Sequence, residues 1–196
     1  MTRRMTGSLR LFGTTMSWDF PIPIKSTSSS SSLKRSATKS NDKENSSRRK
    51  PMRKLTEIII HCTATRPSWY EDKPVEDAVK ELTRWHVEDR GWQNCGYHFA
   101  INRKGDVGSA RPIGHSGAHC RGRNKHSVGV TLLGGRGGEA HDIFKDNFTA
   151  EQDAALRNLI ADLKEKHPTI TTISGHNEWS NKACPCFDVE DWLMEG

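Results

Sequence analysis

TEIIIHC, residues 56 to 62, is the stretch on which the fold turns. A compact β-branched run of this length suits a short buried strand flanked on both faces. SVGVTLLGG, residues 127 to 135, reads as a second apolar strand. YHFAINR, residues 97 to 103, alternates as a half-exposed strand, and Lys104-Gly105 turns it into another around Val107 to Ala110, most simply as a hairpin. ITTIS, residues 170 to 174, is a further strand leading into His176. Between these lie helical patterns. From Pro74, the residues Val75, Val79, Leu82, Trp85 and His86 recur on one face until about Gly91, with acidic residues near the start. Thr149 opens TAEQ, a capping box with Gln152, ahead of Leu156, Leu159, Ile160 and Leu163. VEDWL, residues 189 to 193, closes the chain as a short helix. Interleaved strands and helices predict an α/β fold: a single domain over residues 55–196, with a central mixed β-sheet flanked by helices.

Outward from that domain the composition changes. Residues 1 to 54 carry 13 basic and 3 acidic side chains, the remainder 17 and 21, so the excess of Lys and Arg belongs to one end and the body is mildly acidic. The segment from Lys25 to Lys54 is Ser-, Lys- and Arg-rich, includes five consecutive serines, and has almost nothing apolar to bury. Residues 1–54 are therefore predicted to be a disordered basic tail. No specific nucleic-acid partner is expected, because a charge confined to a tail is no property of the domain. No run approaches the roughly 18 to 20 apolar residues of a membrane span. The basic start lacks a continuous apolar stretch after it, so no export signal is read and a cytoplasmic location is expected. Five cysteines, an odd number in a chain with enough apolar sequence for a core, argue for reduced thiols, some of which can serve as ligands.

Two predicted strands end in histidine, His61 and His176, and Cys184 follows eight residues after the second. Two imidazoles and a thiolate form a nitrogen and sulfur set that suits Zn²⁺, and three protein ligands leave the fourth tetrahedral position open for chemistry. On residues alone this is one triple among the many that nine histidines and five cysteines offer.

The text around each donor narrows the choice. HCTAT (61–65), GWQNCGYHFAI (91–101), GAHCRGRNKHSVGV (117–130) and GHNEWSNKACPCFD (175–188) resemble, in order, the motifs of the zinc-dependent N-acetylmuramoyl-L-alanine amidase family. That family includes small phage lysozyme-type amidases and the peptidoglycan recognition proteins. The resemblance covers residues 55 to 194 and none of the first 54. It implies that His61, His176 and Cys184 are the metal ligands and that Tyr97 and Lys182 assist catalysis, Lys182 by stabilising an oxyanion and Tyr97 by orienting water or carbonyl. It also implies that His119 and Asn124 line the substrate groove. The expected reaction is zinc-dependent hydrolysis of the amide between N-acetylmuramic acid and L-alanine in bacterial peptidoglycan, as in an endolysin. The expected protein is a monomer that acts on the wall after release by a holin-type partner. The alternative is a recognition module that binds peptidoglycan without cutting it.

Other residues are weighed against these. Cys186 stands where many relatives have serine, and two cysteines around one proline could compete for the metal. Cys62 should alternate to the strand face opposite His61 as a small buried residue. His86 and His98 read as packing residues, and His115 and His126 as loop residues. Glu178 is either a hydrogen-bond partner to a ligand or an exposed carboxylate.

Overall fold

In a computed structural model, residues 53–195 are described, and the tail predicted for residues 1–54 lies outside them except for Arg53 and Lys54. Strand β1, Glu57–Cys62, is the six-residue core of TEIIIHC. It pairs in parallel with β4, Ser127–Leu132, on one side and with β5, Thr172–Gly175, on the other. On the far side of β4 lies β2, Phe99–Ile101, also parallel, and β3, Val107–Ser109, closes that edge antiparallel to β2. The order is β3-β2-β4-β1-β5, a mixed sheet as predicted.

Strand β2 is shorter than its predicted span because neighbouring backbone groups are taken by loops. Arg111 N–H donates to Tyr97 O and Ala118 N–H to Gly96 O. At the other end the Asn102 carboxamide oxygen accepts from the N–H groups of Lys104 and Asp106, turning the chain into the hairpin.

The two faces of the sheet differ in chemistry. Side chains alternate along a strand, so Ile58, Ile60 and Cys62 share one face with Val128, Val130 and Leu132. This face packs on helix α3, Ala150–Lys166, through Leu156, Ile160 and Leu163, and on helix α4, Val189–Met194, through Val189 and Trp192. A one-turn helix α2, Phe144–Asn147, which had no signature in sequence, adds Phe144 to the same aromatic layer. The opposite face carries Glu57, Ile59 and His61 on β1 and Ser127, Gly129 and Thr131 on β4. Part of it is covered by helix α1, Val75–Arg84, whose Ala78 and Leu82 join a smaller apolar cluster with Ala100 and Leu133. The rest is covered by the loops on either side of residue 119.

Both predicted arms of the capping box form: Gln152 N–H donates to Thr149 Oγ1 and Thr149 N–H to Gln152 Oε1, each at 3.2 Å. The Gln152 amide nitrogen also donates to the carbonyls of Ile101 and Leu133, tying α3 to the ends of two strands. At the other end of the described chain, Arg53 donates to the carbonyls of Ile113 and Ser127. The described domain thus takes in Arg53, ahead of the predicted start at Leu55.

Candidate metal centre

Strand parity and the parallel arrangement position the first two donors. His61 is the penultimate residue of β1, directed to the polar face and fully buried. Because β5 runs parallel to β1 with Gly175 opposite Ile60, the next residue, His176, arrives beside His61, their ring centroids 4.6 Å apart. His176 opens a short 3-10 turn, His176–Glu178, which Glu178 holds by accepting the Gly175 N–H at 2.5 Å. Glu178 therefore supports the backbone in front of a donor rather than the donor's ring.

The third donor comes from the segment before α4. Cys184 Sγ lies 3.7 Å from His61 Nδ1 and accepts the Cys62 N–H at 3.2 Å. The donor atoms of His61, His176 and Cys184 all fall within 4.8 Å of one another. For a tetrahedral ion with Zn–N of about 2.05 Å and Zn–S of about 2.3 Å, the nitrogen–sulfur edge is about 3.6 Å. The donor set and its spacing fit zinc.

Charge state agrees with that fit. Burial, with the neighbouring His119, His176 and Lys182, holds His61 well below the usual histidine range, so the ring is neutral and has a lone pair to give. Burial and Lys182 also lower His176. The contact with the Cys62 thiol, together with burial, pushes the Cys184 thiol up, against the Cys62 backbone N–H, which favours the thiolate. A dication is the group able to convert so shielded a sulfur to thiolate. Cys186 turns away from the donor set: its sulfur lies 3.6 Å from Cys62 Sγ and donates to Gly135 O. Cys62 is buried on the face opposite His61, as expected, within a sulfur contact that sequence did not suggest.

His176 and Cys184 line a cleft of about 740 Å³ together with Tyr97, Lys182, His119 and Asn124. Six of the seven residues singled out in sequence therefore share one concavity, and His61, fully buried, packs its ring against those of Tyr97 and His176 at the edge of it. Tyr97 is half-buried with its ring 5.1 Å from His61. Burial and then the Cys184 sulfur push its phenol above the ordinary value, so it remains a proton donor through the neutral range. Lys182 is exposed at the cleft. Asn124 uses its side-chain oxygen to accept from the N–H groups of His119 and Cys120, fixing the loop that forms one wall. His119 is buried against His61, with a ring nitrogen 3.0 Å from it. Arg90, Trp92, Arg121 and Trp179 also line the cleft. Of these, Trp92, Arg121 and Trp179 stand in the motifs GWQNCGYHFAI, GAHCRGRNKHSVGV and GHNEWSNKACPCFD; Arg90 gave no local signal.

A polar network absent from the sequence reading ties the walls together. Buried Glu57 pairs with Arg123 at 2.9 Å and accepts from Ser174 Oγ at 2.8 Å. Ser174 accepts from Trp179 Nε1, and the Arg123 guanidinium lies over the Trp179 ring at 3.7 Å. The loop before β4 is thus fastened to the turn that carries His176.

His86 and His98 lie outside the donor set, as expected, and both are buried. Each Nδ1 accepts a backbone N–H, from Gly96 and Gly129 respectively. Burial, reinforced by nearby arginines, lowers both to about 4 from a usual 6.5. Unfolded rings take up protons first as pH falls, so the stability that these neutral rings contribute is whole above about 6.5 and is lost towards 4. For His98 alone this is up to about 3 kcal/mol. The urea midpoint of the metal-free protein is expected to fall steeply between pH 6.5 and 4.5; a flat profile there would contradict the neutral assignment.

The family model for N-acetylmuramoyl-L-alanine amidases matches residues 51–187. The chain is 38% identical over 135 residues to the endolysin of Escherichia phage T7, covering 69% of this chain and 83% of that protein. It is 37% identical over 137 residues to the endolysin of Klebsiella phage KP32, covering 70% and 84%. Among solved structures it is similar in fold to Drosophila PGRP-LB, with a TM-score of 0.59 and 23% identity over 72% of this chain and 81% of that one. It is also similar to the N-acetylmuramoyl-L-alanine amidase LysC from Clostridium intestinale, with a TM-score of 0.56 and 24% identity over 72% and 84%.

Proposed function

This chain belongs to the N-acetylmuramoyl-L-alanine amidase family and is a peptidoglycan amidase; on that premise we propose that its catalytic centre is a zinc ion held by His61, His176 and Cys184, with Tyr97 and Lys182 beside it. The observation that carries the reading is the approach of three donor atoms to within 4.8 Å from distant parts of the chain, at the wall of a cleft. Zinc bound there supplies a polarised carbonyl and an activated water near neutral pH, which amide hydrolysis requires.

The remaining roles belong to the chain's own groups. Lys182 brings a positive charge to the cleft and stabilises the oxyanion that develops as the scissile carbonyl is attacked. Tyr97, still protonated, donates a hydrogen bond that orients the carbonyl or the attacking water. His119 and Asn124 shape the wall along which the glycan and peptide lie. The bond cut joins the lactyl group of N-acetylmuramic acid to L-alanine of the stem peptide. None of the helices among the described residues is long and apolar enough to cross a membrane. The reading takes the enzyme to be a monomer made in the cytoplasm, reaching the wall through a holin-type pore.

Metal analysis of the full-length protein, paired with mass spectrometry of digested cell walls, tests this function. Stoichiometric zinc and newly exposed L-alanine amino termini are expected. Wall binding without new termini would replace the enzyme with a recognition module.

A further inference from the structure

A line of hydrogen bonds runs from His61 through His119, at the wall of the cleft, to the start of β4. His61 Nε2 lies 3.0 Å from His119 Nδ1, His119 Nε2 lies 3.4 Å from Ser127 Oγ, and Ser127 Oγ lies 2.9 Å from the carbonyl oxygen of Arg123. A carbonyl can only accept, so its direction propagates. Ser127 gives its single proton to Arg123 O, the shorter of its two contacts, and so offers only a lone pair to His119. His119 must then carry its proton on Nε2, leaving Nδ1 bare. A bare Nδ1 accepts from His61, which therefore carries its proton on Nε2. The other nitrogen of His61, Nδ1, is left with a free lone pair, and it is the one that faces Cys184 Sγ at 3.7 Å.

The parts of this line are held in place. Arg123, whose carbonyl ends it, is anchored through its guanidinium to buried Glu57. The backbone N–H of His119 is fixed by Asn124 Oδ1 at 2.8 Å. The His119 ring lies between Gly117 and Gly129, and a Cβ at Gly129 would come within 2.5 Å of its Cδ2. Glycine on a central strand lacks a side chain to pack and marks a close approach; here it makes room for a ring.

We propose that His119 is a positioning residue, which, with Ser127 and the Arg123 carbonyl, sets the tautomer and orientation of His61 so that Nδ1 is ready for the metal before any metal arrives. This rests on the zinc reading above and assigns His119 a role in addition to lining the cleft. Outer partners of this kind fix the ligand tautomer and typically change metal affinity by roughly 10- to 100-fold.

The test uses the full-length protein. Nitrogen-edited NMR of the metal-free wild type is expected to show His61 protonated on Nε2 and bare on Nδ1; the opposite tautomer would overturn the proposal. In competition with a chromophoric chelator, His119→Phe, which keeps a ring and loses the acceptor, is expected to weaken zinc binding roughly 10- to 100-fold. His119→Asn, whose Oδ1 can take the place of Nδ1, is expected to recover affinity to within a few-fold of wild type. A folded His119→Phe protein with undiminished affinity would also overturn the proposal. A wild type that binds no zinc while its metal-free His61 shows the expected tautomer would instead contradict the zinc reading and leave the hydrogen-bonded line standing.

Discussion

Cys184→Ser is expected to leave a folded protein that binds little zinc and releases almost no L-alanine amino termini from purified walls. In the proposed centre this sulfur alone would bring negative charge; His61 and His176, neutral rings, would bring none. A serine hydroxyl is a harder, far less acidic donor, and in a pocket where Cys62 and burial already oppose ionisation of Cys184 it would stay protonated. Two imidazoles alone would then hold the ion. The drop in turnover is expected to be roughly 10³-fold or more, equivalent to about 4 kcal/mol of transition-state stabilisation. Metal analysis and wall digestion on the same sample check both halves. Full activity in zinc-free Cys184→Ser would remove the metal from the mechanism.

Lys182→Ala should separate binding of the metal from use of it. The lysine is no donor to the ion and stands exposed at the cleft, so zinc content should equal that of wild type. In the proposed role its charge would act on an oxyanion absent from the bound substrate, so the loss should fall on kcat, roughly 10²- to 10³-fold, with KM little changed. Lys182→Arg, which keeps the charge in a different shape, should recover part of the rate. A rise in KM at constant kcat would show that Lys182 holds the substrate rather than its transition state.

Much of this architecture could be read from local pattern. TEIIIHC, SVGVTL and the capped helix beginning after Thr149 each carry their signal within a few residues. The three donors were legible because they sit in two motifs, His61 in HCTAT and His176 with Cys184 in GHNEWSNKACPCFD. Strand order was not, because parallel neighbours are chosen by tertiary packing: β1 lies between β4 and β5, which begin 70 and 115 residues after it. The one-turn α2 is too short for a periodic signal. The contact of Cys62 with Cys186 and the pairing of Glu57 with Arg123 join residues 124 and 66 apart, with no trace in either neighbourhood. His119 shows the division within a single residue: its motif suggested the cleft, but only the fold reveals its bond to His61.

The unlike faces of the sheet make the chemistry hostage to odd and even numbering. Sliding β1 by one residue along β4 would present Ile60 or Cys62 where His61 should stand, and turn the Glu57 carboxylate towards the apolar face of the sheet. A charge stranded there without a partner would cost several kcal/mol. The misregistered sheet would thus lose both the donor cluster and its stability, so the alternation that sets His61 beside His176 and Cys184 also enforces, through Glu57, the correct alignment of the strand.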